Sequence, residues 1–255
     1  MKYLVDLSDR RNVILFDRLK KQGIAEAYAP CDPYTTCPDC TDCAVIFSPA
    51  KKLSTADALK LPNGATVLGG RQTDDVHNIM DKANITYKNL LADEIYAVKN
   101  ANLTAESTLG LIVSASEKSI FDCKILVLGL GRVAKALLIL LARLSLNTAT
   151  ATFDKAELAS ASLYAKTAHF CPDGMDFLGD YDIIINTIPA PVLEGHLILI
   201  DRKATLIELA SVHCARAENA ELHGINFIKA PGLPSIYCPM AAADIMLDCI
   251  QRILK

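Results

Sequence analysis

The chain has 255 residues, about right for two domains, since domains run roughly 100–200 residues each. With 51% hydrophobic and 22% charged residues, and only 12 Gly and 11 Pro, it is neither fibrous nor disordered and should fold throughout. Its net charge of −3, with no Lys/Arg run interleaved with aromatics, lacks the electrostatic footprint of phosphate-backbone binding, which excludes nucleic acid as an expected partner.

The opening MKYLVDLSDRR sets charges where a signal peptide would carry its apolar stretch, and no apolar run approaches the ~20 residues of a membrane span. A cytoplasmic protein with no membrane partner is expected. From Tyr3, short apolar strands alternate with helical stretches: YLVDL then NVILFDRLKKQG, CAVIF then STADALKL, ATVLGG then QTDDVHNIMDKAN. Such alternation requires crossovers between parallel strands. Residues 1–102 are therefore expected to form a doubly wound, flavodoxin-like domain for substrate or partner.

Within that domain lie Cys31, Cys37, Cys40 and Cys43, the last three at C-x2-C-x2-C spacing. Zinc sites pair two distant knuckles, and the comparable iron–sulfur run continues to a fourth Cys downstream. Here the fourth lies upstream and Cys43 opens a core-like strand, so the segment reads as a Cys-rich surface loop with no metal. Cys123, Cys171, Cys214, Cys238 and Cys249 are scattered and read as buried thiols of a reducing compartment.

Residues 103–119, LTAESTLGLIVSASEKS, read as a helix linking the two halves, with Thr104 as cap candidate and Glu106 in the first turn. Alternation then restarts with KILVLGLG, RVAKALLILLARL, TATATF, YDIIINTIP, ATLIELA and INFIKAPG, which predicts a second doubly wound sheet. The expected class is α/β, two parallel-sheet domains, the second a Rossmann dinucleotide-binding domain over 103–239. The amphipathic segment 240–255 is expected to pack back on the first domain.

The strongest chemical signal is an apolar strand running into Gly129-Leu130-Gly131-Arg132-Val133-Ala134 and then into a long apolar helix. Gly129 permits a tight turn, Gly131 lets backbone approach a pyrophosphate, Ala134 allows close helix–sheet packing, and the helix N-terminus offers N–H groups to phosphate. Asp154 stands 23 residues beyond Gly131 at the end of the next strand. There a carboxylate accepts hydrogen bonds from the adenosine ribose and favours NAD over NADP, with Lys155 beside it; a helix cap is the plainer role for the same residue. Asn186, Thr187, Ile188 and Pro189 follow a third strand and should emerge at the carboxyl edge, where open α/β sheets bind ligands. Ala210, within Glu208-Leu-Ala-Ser211, and Pro231 with Gly232 end the next two strands and would line the same crevice. Of the histidines only His213 is well placed, and it has no assignable carboxylate partner, so no catalytic residue is assigned.

The segments NANLTAESTLGLI, KILVLGLGRVAKAL, DYDIIINTIPAPVL, LIELAS and KAPGLPSIYCPMAAADIML, in that order over roughly residues 100–250, resemble the A subunits of dipicolinate synthases of spore-forming bacteria. The resemblance implies an NAD(P)-dependent oxidation of a dihydrodipicolinate-type intermediate of the lysine pathway to pyridine-2,6-dicarboxylate. It further implies a partner in the form of a flavoprotein-like B subunit, an oligomeric assembly, and the mother-cell cytoplasm of a sporulating bacterium. Aromatisation drives such a step, so the protein mainly positions the pieces. The family pattern has a basic residue where Asp154 stands, and a Pro-Gly pair where this chain has Val212-His213-Cys214.

A dicarboxylate substrate calls for a helix N-terminus or a cation, which makes Asn102, Thr104, Ser107 and Thr108, with Arg71, the candidates to hold it. Two other functions share the fold plan. D-2-hydroxyacid dehydrogenases carry an Arg after the strand that reads IELAS here and a His in the segment that reads PGLPSIYCP, and this chain has neither. A non-catalytic dinucleotide-binding sensor or scaffold is the other.

Overall fold

A computed structural model describes residues 2–22, 27–28 and 43–255. Cys31, Cys37 and Cys40 lie outside the described residues, whereas Cys43 is buried at the start of a core strand. The chain divides into two compact units, Met1–Asn100 with Pro234–Lys255, and Ala101–Leu233.

The first unit is built on five parallel strands: β1 Lys2–Val5, β2 Ala27–Tyr28, β3 Cys43–Ile46, β4 Thr66–Gly69 and β5 Thr86–Asn89, in the order β2-β1-β3-β4-β5. Strand β3 is buried at every position, as a parallel strand covered on both faces must be. Helices α1 Arg10–Lys21, α2 Thr55–Ala58 and α3 Asp74–Lys82 connect the strands. Two later helices, α8 Leu233–Tyr237 and α9 Pro239–Ile253, complete the unit. Helix α9 lies against α1, where Ala243, Met246, Leu247 and Ile250, at helical spacing, close a core shared with Leu15, Leu19 and Ile46.

A buried ionic knot sits where β1 passes into α1. The Asp9 carboxylate caps α1 through the Arg11 N–H at 2.9 Å and pairs with the Arg11 guanidinium at 3.0 Å. That guanidinium also donates to the Ser48 hydroxyl at 3.0 Å, and the Ser235 hydroxyl donates to Asp9. Arg11 is only 2% exposed. Burial pushes the Asp9 pKa up, but Arg11 and the two hydroxyls outweigh it and hold the carboxyl below its ordinary value.

The second unit has six parallel strands: β6 Lys124–Leu128, β7 Asn147–Thr152, β8 Thr167–Phe170, β9 Ile183–Asn186, β10 Thr205–Glu208 and β11 Asn226–Lys229, ordered β11-β10-β9-β6-β7-β8. Strand order reverses between β6 and β9, which opens a crevice at the carboxyl ends of the central strands. Helices α5 Arg132–Arg143, α6 Lys155–Ser160 and α7 Ala217–Leu222 belong to this unit. Helix α5 buries Ala134, Leu137, Leu138 and Leu141 against Ile125, Val127 and Ile185.

One boundary differs from the sequence expectation. Helix α4 runs over Glu94–Ala115 rather than starting at 103, so Thr104 is an interior residue and not a cap. Asp93 takes the capping role, its carboxylate accepting from the Tyr96 N–H at 2.7 Å. Tyr96 and Ala97 are buried in the first unit, and Ala101, Ala105, Thr108 and Ile112 in the second, so the helix has buried positions on both sides of residue 103. Among the described residues no helix is long and apolar enough to cross a membrane.

Candidate functional site

The carboxyl edge of the second sheet gathers most of the residues picked out from the sequence. Pairing sets Leu128 level with Ala151 and Asn186, and Asn186 level with Glu208. The residues that follow each of these therefore emerge side by side. Gly129 turns at φ +94°, in the region that favours glycine, and a Cβ there would lie 2.6 Å from the Thr187 hydroxyl and 2.9 Å from Ile188. Both its backbone and its neighbours require glycine.

Gly131 differs. Its φ of −73° suits any residue, and a Cβ added to it would meet nothing within 4 Å. Neither backbone nor packing within the chain explains this glycine, which leaves open space at the N-terminus of α5. That space fits a pyrophosphate lying against the helix N–H groups. Leu130 points into the core, so only its backbone faces the turn; Val133 is half-buried, Arg132 is exposed, and Ala134 is fully buried where α5 meets the sheet.

Across the crevice Asn186 and Glu208 lock three strand ends together. The Thr187 hydroxyl donates to Leu128 O at 2.7 Å, fixing the end of β9 to that of β6. The Asn186 amide donates to Ile188 O at 2.9 Å while its carbonyl accepts from the Ile188 N–H at 3.1 Å. Glu208, 1% exposed, accepts from the Asn186 amide at 2.9 and 3.1 Å, from Ala210 N at 2.8 Å and from Cys214 N at 2.6 Å. These donors occupy the carboxylate, so Glu208 shapes the loop 209–215 and is not placed as a proton acceptor. Burial, reinforced by Glu208, pushes the Cys214 thiol well up, so it stays protonated. Pro231 is exposed and Gly232 turns at φ +67° beyond β11.

At the end of β7, Asp154 caps α6, one carboxylate oxygen accepting from Ala156 N at 2.6 Å and Glu157 N at 3.0 Å. Lys155 lies with its ammonium 6.0 Å from the centre of the Phe170 ring. The Thr152 hydroxyl accepts from Asp154 N at 3.1 Å and donates to Glu157 at 2.5 Å.

The substrate candidates fall differently. Arg71 is exposed just past β4, its carbonyl accepting from the Lys52 ammonium at 2.6 Å. Asn102, Thr104, Ser107 and Thr108 occupy the interior of α4, so the helix-terminus argument for an anion there does not hold. Buried Ser107 and Thr108 donate their hydroxyls to the carbonyls of Leu103 and Thr104, both at 2.7 Å. His213 is exposed, its ring edge toward Phe227 at 6.3 Å. Among the described residues no cluster of three or more His, Cys, Asp or Glu side chains is arranged to hold a metal ion.

Sequence reasoning passed over the locking role of Glu208 and the Thr152–Glu157 pair. The signal for the second was present as Asp-x-x-Glu, the spacing of a capping box, directly after a strand.

No protein-family model matches the chain. It is 26% identical over 214 residues to the dipicolinate synthase A subunit of Bacillus subtilis strain 168, covering 83% of this chain and 72% of that protein. The crystal structure of the dipicolinate synthase A subunit from Bacillus halodurans superposes with a TM-score of 0.87 at 22% identity, over 99% of this chain and 97% of that one. The NAD-complexed D-isomer-specific 2-hydroxyacid dehydrogenase of Lactobacillus delbrueckii ssp. bulgaricus matches with a TM-score of 0.55 at 13% identity, over 99% and 96%. The resemblance carried by the sequence motifs is thus borne out: the chain is similar to the A subunits of dipicolinate synthases, and its two-sheet α/β fold is shared with Rossmann-type dehydrogenases.

Proposed function

We propose that this protein is the dehydrogenase component of a dipicolinate-forming synthase, oxidising a dihydrodipicolinate-type intermediate to pyridine-2,6-dicarboxylate with a nicotinamide dinucleotide. The observation that carries the reading is Gly131, a glycine at a helix N-terminus that nothing within the chain requires and whose missing side chain would meet nothing within 4 Å. Similarity to one component of a synthase supplies the substrate class and the expectation of a B-type partner.

Each residue group has a physical task in this reading. The first turn of α5 binds pyrophosphate, and Gly129 holds that turn against Thr187. Thr187, Ile188 and Pro189 form the wall beside the nicotinamide, kept rigid by Asn186 and Glu208, and Ala210, Pro231 and Gly232 continue that wall. Bound there, the nicotinamide would supply a hydride acceptor. Glu208 holds no proton-accepting role, because its lone pairs already face four hydrogen bonds. Arg71 remains the cationic candidate for a substrate carboxylate.

The test is reconstitution. Aspartate semialdehyde, pyruvate, the upstream condensing enzyme, NAD(P)+, this chain and a B subunit from the same genome should form dipicolinate, detected by its ultraviolet spectrum. The Gly131→Asp variant should remain folded yet lose product formation and NADH binding by calorimetry, since its carboxylate would occupy the phosphate path. A complete mixture that makes no dipicolinate above the enzyme-free control would sink the synthase reading, and parental NADH affinity in the folded variant would sink the assigned turn.

A further inference from the structure

One face of helix α1 carries Arg10, Ile14, Asp17, Arg18 and Lys21 at helical spacing. With α8 and the first turn of α9 this face borders a groove of about 740 Å³, all of it within the first unit. The opposite wall is apolar. Ile236, Tyr237 and Met240 stand 60%, 48% and 62% exposed, three large side chains gathered within five residues. Single exposed apolar residues need no explanation, but a cluster rimmed by charge marks a surface that another molecule covers. Tyr, Met and Arg are also residue types enriched where proteins meet.

The charges indicate what covers it. Arg18 is paired with Asp244 of α9 at 3.2 Å and so belongs to the fold. Arg10 and Lys21 form no ion pair among the described residues. Asp17 is the one acid lining the groove, so a positive balance remains. Arg10 and Lys21 open and close α1, roughly 16 Å apart at about 1.5 Å per residue, with Ile14 between them. A segment that fits this wall has an apolar stripe about three turns long and a carboxylate near each end. A second copy of this chain is a poor occupant, because a two-fold contact through the groove would set the cations of one copy against those of the other.

We propose that the groove docks an acidic amphipathic helix of the partner subunit. Its apolar stripe lies on Ile14, Ile236, Tyr237 and Met240, and its carboxylates meet Arg10 and Lys21. The existence of that partner rests on the synthase reading above; the groove adds where on this chain it sits and what chemistry it brings.

The test measures, by calorimetry, binding of the B subunit from the same genome to the parent, to Met240→Glu and to the double variant Arg10→Gln, Lys21→Gln. All three side chains are exposed, so melting temperature and NADH affinity should stay parental. Met240→Glu should weaken binding about tenfold or more, since it sets a charge in the apolar wall and repels an acidic partner. The double variant should weaken it about fivefold at low salt. Raising salt to roughly 0.5 M should weaken the parent complex and affect the double variant much less, a response that a merely structural role would not produce. Parental affinity in both folded variants, beside a parent that binds the B subunit, overturns the groove as docking site while the synthase reading stands. Dipicolinate formed with no measurable binding of the B subunit overturns the groove alone. Dimerisation of the parent that Met240→Glu abolishes, seen by sedimentation, would assign the groove to a second copy and overturn it as well. A parent that neither binds the B subunit nor forms dipicolinate with it loses both readings together.

Discussion

Asp154 shows how one residue can answer two questions at once. Its cap is realised in the structure, with two backbone N–H groups bound to one oxygen, while its other oxygen accepts no described hydrogen bond. Replacing it with Arg should separate the two roles. The cap contributes about 1 kcal/mol, which should appear as a drop in melting temperature of roughly 2–4 °C. The NADH-to-NADPH affinity ratio should move by about tenfold or more toward NADPH, as expected when a charge-assisted bond is replaced by a phosphate-pairing cation. An unchanged ratio beside a lowered melting temperature would leave Asp154 as a cap alone. The glycine turn and Asp154 could be picked out beforehand because strand, spacing and helix all point the same way. Glu208 could not be so ranked, since its importance lies in donors contributed by residues 186, 210 and 214, a convergence that only the folded sheet edge creates.

Elements were legible where apolar periodicity and turn residues agreed, as in five of the six strands of the second sheet; β8, Thr167–Phe170, is short and half-exposed and gave no such signal. They were misread where local propensity conflicted with packing. Thr104 looked like a helix cap, yet α4 begins at Glu94 and runs through it, with buried residues before and after it. Its true start is held by a bidentate pair, Arg252 of α9 donating to Asp93 at 2.8 and 3.1 Å. The Arg252 hydrogen bonds, with the Tyr96 N–H, lower the Asp93 pKa below its ordinary value. A depressed carboxyl contributes stability that is complete above the unfolded value of about 3.9 and disappears as pH falls through the folded value. Arg252→Ala should therefore lower the melting temperature by about 1–3 °C at pH 7, for a mostly solvent-screened pair. The deficit should shrink below pH 4. A deficit that persisted unchanged to pH 2.5 would mean that Arg252 acts by packing its aliphatic stem, not by its charge.

At the scale of the whole molecule the cysteines distinguish interior from surface. Cys43, Cys123, Cys171, Cys214 and Cys249 are buried, and burial raises the thiols of Cys171 and Cys249 to about 11 each. A buried thiol that does not ionise is a poor nucleophile. Of the nine cysteines, no more than four should react promptly with a disulfide reagent in the native state, and all nine after denaturation. Prompt reaction of six or more would contradict the packing of the two cores. Of the five scattered cysteines read as buried thiols, Cys123, Cys171, Cys214 and Cys249 are buried, whereas Cys238 is half-buried. Cys31, Cys37 and Cys40, read from their spacing as a surface loop, lie outside the described residues.

The first unit is assembled from two stretches of chain separated by the whole of the second. On the ribosome, Leu15, Leu19 and Ile46 emerge before the second unit, while Met246 and Ile250, which cover them, are made only after it. The Ser235 hydroxyl that completes the hydrogen bonding of Asp9 arrives equally late. The second unit lies wholly within Ala101–Leu233 and can close its core before then. The unit begun before the second is thus closed only after it, and a nascent chain stalled short of residue 240 carries an open apolar face that a chaperone would be drawn to.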